Sequence, residues 1–220
     1  LDKALTLLEL SRESHESKRY PYVYVSIRPS GRTLVSQKPF LREILGKILS
    51  TWDNSRVLID GFSYPEDFQR GLYNPMRKPF TERADKAERF VKDILESLPS
   101  AQRRRVTDIT GNSLLIALKE ISNCNYYVTH SGTLQHKIAW FFGTHGYMHG
   151  NSFETKPASV AWLAKQVEGA KVPAVPAQGT ICDLEVEGMP NLKNRNRQYD
   201  FKDLDGAVQD IMGKISERFN

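Results

Sequence analysis

The stretch His130–Lys137 (HSGTLQHK) has the residue types best suited to binding a charged ligand. Ser131 and Thr133 offer hydroxyl groups, and Gly132 lets a ligand approach the backbone. Where such residues begin a helix, the first backbone N–H groups are unpaired and the helix dipole is positive, which favours phosphate. We therefore predict a phosphate-binding turn. An alternative of about equal weight is that these hydroxyl groups only cap the helix.

Two side chains further along this stretch extend the predicted site. Lys137, one turn into the helix, is expected to neutralise phosphate charge, and Gln135 is a candidate ligand-binding amide. Apolar residues at positions 134, 138, 141 and 142 trace one helical face, so this segment is predicted to be a helix. The short apolar run Tyr126–Thr129 before it predicts a strand.

Polar residues after two other predicted strands are further candidates. Arg28 and Arg32 follow the first strand and could clamp a phosphate or a sugar carboxylate. The alternative is that both are solvated loop arginines, which we favour for Arg32. Thr110-Gly111-Asn112 could contact a base or a ribose, or could be an ordinary capping turn.

The remaining polar residues give no catalytic or metal-binding motif. Asp60 could bind a sugar, but a role in a turn is the safer prediction. His145 and His149 have a spacing that binds metal on a helix, but they flank Gly146 in a predicted strand, so no metal site is predicted. Cys124 and Cys182 are too few for a zinc site or a disulfide framework, and we expect reduced thiols.

The predicted elements alternate between strands and helices. The strands are Tyr22–Ile27, Arg56–Ile59, Val106–Ile109, Tyr126–Thr129, Gly146–His149 and an edge strand Ile181–Val186. The helices are Leu1–Lys18, Leu41–Trp52, Glu82–Leu98, Ser113–Ser122, the segment after Thr133, Ser159–Val167 and Asp203–Phe219. This alternation predicts an α/β fold, a Rossmann-like parallel sheet with helices on both faces.

Ligands bind such sheets at the carboxyl ends of the strands. We therefore expect the loops that begin at Arg28, Asp60, Thr110 and His130 to lie at one edge. The chain has no GxGxxG after the first strand, no GxxxxGK[ST] and no GxSxG. Ordinary dinucleotide-binding folds, P-loop NTPases and α/β hydrolases are thus disfavoured.

Length and composition indicate a globular protein with a preference for anions. The 220 residues carry a net charge of +5, with a pI of about 9.1 and 40% hydrophobic residues. No apolar run approaches the ~20 residues that span a bilayer, and no signal peptide is visible. We expect a cytoplasmic protein, and the positive charge also suits peripheral association with the inner face of a membrane. Because residue 1 is leucine, we expect a fragment or a processed chain.

At Val106–Gly150 the sequence resembles a known family. The segment Thr129–Ala139 reads THSGTLQHKIA and is similar to the T-D-S-G-G-I-Q-E-E-A turn of GT-B glycosyltransferases and of the related epimerases that remodel UDP-N-acetylglucosamine. Ser131, Gly132 and Gln135 are shared. The strand entry NCNYYV and the first strand VYVSIR also resemble the carboxyl-terminal, donor-binding half of these enzymes.

The resemblance implies that Ser131, Gly132 and Thr133 bind the diphosphate of a nucleotide-sugar donor. It also implies that residues 1–18 are a connector helix from an absent amino-terminal domain, which binds the glycan acceptor, and that residues 19–220 form the donor-binding domain. Lys137 stands where the family has the glutamate that binds ribose. This replacement suits a donor with more negative charge, or a fold kept with an altered ligand.

The expected function is therefore that of a glycosyltransferase, with His130 and His136 as candidate catalytic bases. His136 and His130 also replace acidic residues of the family, and the acidic catalytic groups of the epimerase cannot be mapped, so transferase is preferred over nucleotide-sugar epimerase. We expect no cofactor and no metal. The alternative is a non-catalytic Rossmann-like module that binds an anionic partner through the basic stretches Arg103–Arg105 and Lys193–Arg197. Nucleic acid is not an expected partner.

Overall fold

Five parallel strands form the centre of the protein in the computed structural model, which describes residues 19–29, 31–64, 78–185 and 196–219. They are β1 (Tyr22–Ser26), β2 (Arg56–Asp60), β3 (Val106–Asp108), β4 (Tyr126–His130) and β5 (Gly146–His149). Their order in the sheet is β3-β2-β1-β4-β5. The predicted Rossmann-like parallel sheet is thus confirmed, and each of its five strands lies where the sequence placed it to within a residue or two.

Helices cover both faces of this sheet. They are α1 (Gln37–Thr51), α2 (Lys78–Glu96), α3 (Ser100–Arg103), α4 (Leu114–Ile121), α5 (Thr133–Phe142), α6 (Pro157–Ala164) and α7 (Leu204–Phe219). Successive residues of a strand point to opposite faces. Val23 and Val25 accordingly pack in a core with α1, α2 and α7, whereas Tyr24 packs in a second core with α4 and α5.

Two differences from the predicted elements have clear local causes. Helix α2 begins at Lys78 rather than Glu82, because Pro79 lies in its first turn, where a missing N–H costs nothing. A strand was also missed: β7 (Gln198–Phe201) pairs antiparallel with β6 (Ile181–Leu184) in a separate two-stranded sheet. Its signal was present in the alternation of polar Gln198 and Asp200 with the buried Tyr199 and Phe201.

Several predictions fall outside the described residues. These are the connector helix Leu1–Lys18, most of the long loop between Ser63 and Thr81, and most of the basic stretch Lys193–Arg197. Cys124 and Cys182 are both free thiols. No described helix is both long and apolar enough to cross a membrane.

Candidate functional site

A cleft of about 660 Å³ opens at the carboxyl ends of β1, β2 and β4. Strand β1 lies between β2 and β4, and the chain after β1 continues to α1 on one face of the sheet, whereas the chain after β4 continues to α5 on the other. This is the topological switch point, where α/β sheets bind ligands. The lining includes Ile27, Arg28, Pro29, Phe62, Ser63, Tyr64, Arg83, His130, Thr133, Leu134 and Lys137.

The start of α5 has the geometry that its sequence predicts. Gly132 is the N-cap and has a φ of 133°, a conformation that residues with a side chain rarely adopt. The His136 amide donates to the Gly132 carbonyl, so the earlier amides of the turn precede the first helical bond. Thr133, the first helical residue, is exposed and lines the cleft. The start of α5, where the first backbone N–H groups have no helical partner, therefore lies beside the cleft.

Arg28 is the best-placed cation beside this turn. Its guanidinium donates to the Ser131 carbonyl over 3.1 Å, and its backbone is fixed by two hydrogen bonds with the Gln37 side chain. A Cβ atom placed on Gly132 would lie only 3.2 Å from Arg28 Nη1. Burial, followed by the charge of Arg32, lowers the pKa of Arg28. A bound anion would therefore stabilise the charged form of Arg28.

Arg32 lies next to Arg28 and binds Glu154. We use the name arginine cluster for Arg28, Arg32, Ser131 and Glu154. Arg32 Nη1 is 2.5 Å from Glu154 Oε1, and the Ser131 hydroxyl donates to Glu154 Oε2 over 2.9 Å. Arg32 is therefore not the solvated loop arginine that we favoured. The Ser131 amide donates to the His149 carbonyl, so this residue offers a ligand neither a free amide nor a free hydroxyl proton.

A second group of polar residues reaches the cleft through Ser63 and Lys137. We use the name buried cluster for Tyr24, Asp60, Ser63 and Lys137. Lys137 Nζ donates to Asp60 Oδ2 and to the Ser63 hydroxyl, each over 2.7 Å, and the Tyr24 hydroxyl also donates to Asp60 Oδ2. Asp60 is fully buried, so its predicted role in a turn is wrong. Lys137 lines the cleft, but Asp60 already neutralises its charge.

His130 reaches the cleft, whereas His136 does not line it. The Ser26 hydroxyl oxygen accepts the His130 amide and lies 2.8 Å from His130 Nδ1. The direction of the second bond depends on the tautomer, and a neutral ring protonated on Nδ1 donates to Ser26 and keeps Nε2 as an acceptor. Burial, with the charge of Arg28, lowers the pKa of His130 well below its usual value. His136 instead stacks on Trp140, with ring centroids 3.8 Å apart.

Three predicted ligand-binding residues support the cleft from outside its lining. The Thr110 hydroxyl accepts the Gly61 amide, and the Gly111 amide donates to the Phe62 carbonyl. These bonds fix the loop after β2, which carries Ser63. Gln135 is buried and donates to the Tyr127 hydroxyl over 3.3 Å. The structure thus gives all three a role in positioning other residues.

Sequence reasoning missed several residues of the site. Arg83 on α2 lines the cleft, and its charge contributes to the lowered pKa of Arg28. Glu154 binds Arg32 across 122 positions of sequence. Ser63 could have been noticed as a hydroxyl residue three positions after a strand that ends in Asp60. Nothing in the local sequence indicates where Arg83 or Glu154 lies.

The described residues contain no group of three His, Cys, Asp or Glu side chains that could bind a metal ion. The cleft can offer an anion the guanidinium groups of Arg28 and Arg83, the start of α5 and the neutral ring of His130. No protein-family model matches this chain, and no curated protein matches it in sequence.

Proposed function

We propose that this chain is the donor-binding half of a glycosyltransferase and binds the diphosphate of a nucleotide-activated sugar. The observation that carries this proposal is the position of Arg28 at the start of α5, inside a cleft at the switch point of a parallel sheet. A cleft of about 660 Å³ also falls within the ~300–1,000 Å³ range of small-ligand sites.

The chemistry needed is stabilisation of negative charge on a departing nucleoside diphosphate. Arg28, Arg83 and Thr133 at the start of α5 line one cleft, where the two guanidinium groups and the helix start would act without a metal ion. Donors fixed in place before the reaction lower the barrier because they need no reorganisation. Phe62 and Tyr64 pack edge to face with ring centroids 5.5 Å apart, and they give the cleft an apolar wall.

His130 is the preferred candidate for the general base. Its lowered pKa keeps the imidazole neutral at pH 7, which is the form that accepts a proton. His136, stacked on Trp140, is the weaker candidate. The glycan acceptor would approach from a preceding domain, and a cytoplasmic location suits a nucleotide-activated donor.

The test compares the wild-type protein with Arg28→Gln. We expect one nucleotide from a panel of UDP, CMP, GDP and ADP to raise Tm in a concentration-dependent manner. In Arg28→Gln its affinity should fall by about tenfold or more, because a charge-assisted bond to phosphate is lost. Arg56→Gln is the matched control, since Arg56 is exposed at the opposite end of β2.

The lack of a Tm shift with every nucleotide in wild-type protein would contradict the proposal. An equal loss of affinity in both variants would show that only overall charge matters. Lys137→Glu and Ser131→Ala are poor tests, because their side chains bind Asp60 and Glu154 in the folded protein.

The non-catalytic alternative requires available side chains in its basic stretches, and two of the three residues of Arg103–Arg105 bind backbone carbonyls. Arg105 donates to the carbonyls of Trp52 and Asp53 and so caps the end of α1, while Arg103 donates to those of Glu96 and Leu98. Guanidinium groups used in this way are poorly placed to bind a partner. The nucleotide panel separates this alternative from the transferase, because a module that uses the basic stretches is not expected to bind a nucleotide at Arg28. Release of free nucleoside diphosphate in the presence of an acceptor glycan separates the transferase from the epimerase.

A further inference from the structure

The Glu154 carboxylate is bound much as a ligand anion would be. Oε1 lies 2.5 Å from Arg32 Nη1, and Oε2 accepts the Ser131 hydroxyl over 2.9 Å. A guanidinium and a hydroxyl that bind two oxygens of one anion are the partners that a phosphate also uses. The two side chains of the ion pair are only 26% and 20% exposed, so solvent screens this interaction incompletely.

Neighbouring residues hold Glu154 in its position beside Arg32 and Ser131. The Glu154 amide donates to the side-chain oxygen of Asn151. Asn151 is itself buried, and its side-chain nitrogen donates to the Arg197 carbonyl. Gly150 provides the space, because a Cβ atom at this position would lie 3.2 Å from the Cβ atoms of both Glu154 and Ser131. Glu154 is therefore a positioned group and not a chance surface contact.

The position that Glu154 occupies adjoins the cleft. A Cβ atom placed on Gly132 would lie 3.2 Å from Arg28 Nη1 and 3.6 Å from Arg32 Nη2. The two guanidinium groups thus both lie next to Gly132. Among the described residues only Arg32 has a carboxylate partner. An anion bound by Arg28 would lie within reach of Arg32 once the carboxylate moved.

We infer that Arg32 and the Ser131 hydroxyl form a second anion-binding position beside the cleft, which Glu154 occupies until a phosphate group displaces it. This inference rests on the proposed function for the identity of the phosphate, a diphosphate whose two groups would bind at Arg28 and at Arg32. Glu154 is then a specificity-determining residue. It competes with the ligand and selects against anions too weakly charged to displace it.

The experiment measures pyrophosphate affinity by calorimetry in wild-type protein, Glu154→Gln and Arg32→Gln/Glu154→Gln. Glutamine keeps the shape and the hydrogen-bonding oxygen but removes the charge. We expect Glu154→Gln to bind pyrophosphate about tenfold more tightly, and the double variant to lose this gain, because Arg32 is the group released. Glu43→Gln is the matched control, since Glu43 pairs with Lys47 on α1, outside the cleft lining.

Unchanged pyrophosphate affinity in Glu154→Gln, or a gain that persists without Arg32, would overturn the inference. A lower Tm with no change in affinity would also overturn it, because it would assign Glu154 a purely structural role. The same proteins are titrated with the nucleotide panel. If Glu154→Gln binds pyrophosphate more tightly but no protein binds a nucleotide, this inference is supported and the proposed function is contradicted. If a nucleotide binds with the same affinity to wild-type protein and to Glu154→Gln, the proposed function is supported and this inference is contradicted.

Discussion

The buried cluster and the arginine cluster lie against the same cleft but differ in their balance of charge. In the buried cluster one cation, Lys137, meets one anion, Asp60, and the lysine and aspartate side chains are 8% and 0% exposed. The arginine cluster has two cations, Arg28 and Arg32, but only one carboxylate, that of Glu154, which pairs with Arg32 while Arg28 donates to the Ser131 carbonyl. Full desolvation requires pairing, since an unpaired buried charge is costly. Only the more open cluster can carry the excess positive charge that a ligand would neutralise.

Removing Lys137 should have the largest effect among the changes that distinguish the two clusters. In Lys137→Met, Asp60 remains buried without its cation, and we expect a loss of about 3–5 kcal/mol in the free energy of unfolding, measured by urea denaturation. The double variant Asp60→Asn/Lys137→Met should recover most of this loss, because no buried charge is left. A loss below about 1 kcal/mol in the single variant would show that the two clusters do not differ as proposed.

Acidification should lower the free energy of unfolding, because two histidines beside the clusters are buried in their neutral form. Burial lowers the pKa of His149 to about 3, and it lowers that of His130 as well, with added repulsion from Arg28. The unfolded chain takes up protons at these rings as pH falls through about 6.5, while the folded protein does not. The unfolded state thus binds more protons, and stability is present above pH 6.5 and lost as pH falls toward 3.

The expected slope for His149 is about 1.4 kcal/mol per pH unit, so between pH 6.5 and 5 this residue alone costs about 2 kcal/mol. His130 adds to the loss in the same direction. In His149→Gln the slope of unfolding free energy against pH should decrease by the contribution of one proton. An unchanged slope would mean that His149 is already protonated in the folded protein.

Gly132→Ala should affect stability and binding together. A φ of 133° strains any residue with a side chain, and we expect a cost of about 1–2 kcal/mol. The new methyl group would also lie 3.2 Å from Arg28 Nη1, so affinity for the nucleotide or for pyrophosphate should fall. Gly46→Ala is the control. Gly46 lies inside α1 with no atom near its Cβ position, so this change should stabilise by up to about 1 kcal/mol.

The comparison of the clusters also shows which features of the site could be predicted from the sequence. Arg28 and Thr133 were predictable, because each follows a strand and parallel strands end at one edge. The place of Gly132 at the start of a helix was likewise indicated, whereas its positive φ was not predicted. These features depend on local pattern and on one topological rule, so sequence reasoning reached them.

The partners of the charged residues were not predictable. Asp60 was interpreted as a turn residue and Lys137 as a free cation, yet they bind each other across 77 positions. Arg32 and Glu154 are separated even further. Such pairs depend on the register of β1, β2 and β4 and on the rotation of α5, which single-residue spacing does not determine. A charged residue at a strand end therefore indicates where a site lies, but not whether its charge is available.

Arg32→Gln should have the smallest effect on stability and is the sharpest contrast with Lys137→Met. Both changes remove a cation from an ion pair, but the Arg32–Glu154 pair is partly solvated and the Ser131 hydroxyl still donates to Glu154. We expect a loss below about 1 kcal/mol by urea denaturation. Lys214→Gln is the control, because Lys214 forms an exposed pair with Glu217 and its loss should be near zero. A loss of about 3 kcal/mol or more in Arg32→Gln would make this pair structural as well. Glu154 could then not move aside for a phosphate, and the cleft would be left with Arg28 and Arg83 as its anion-binding side chains.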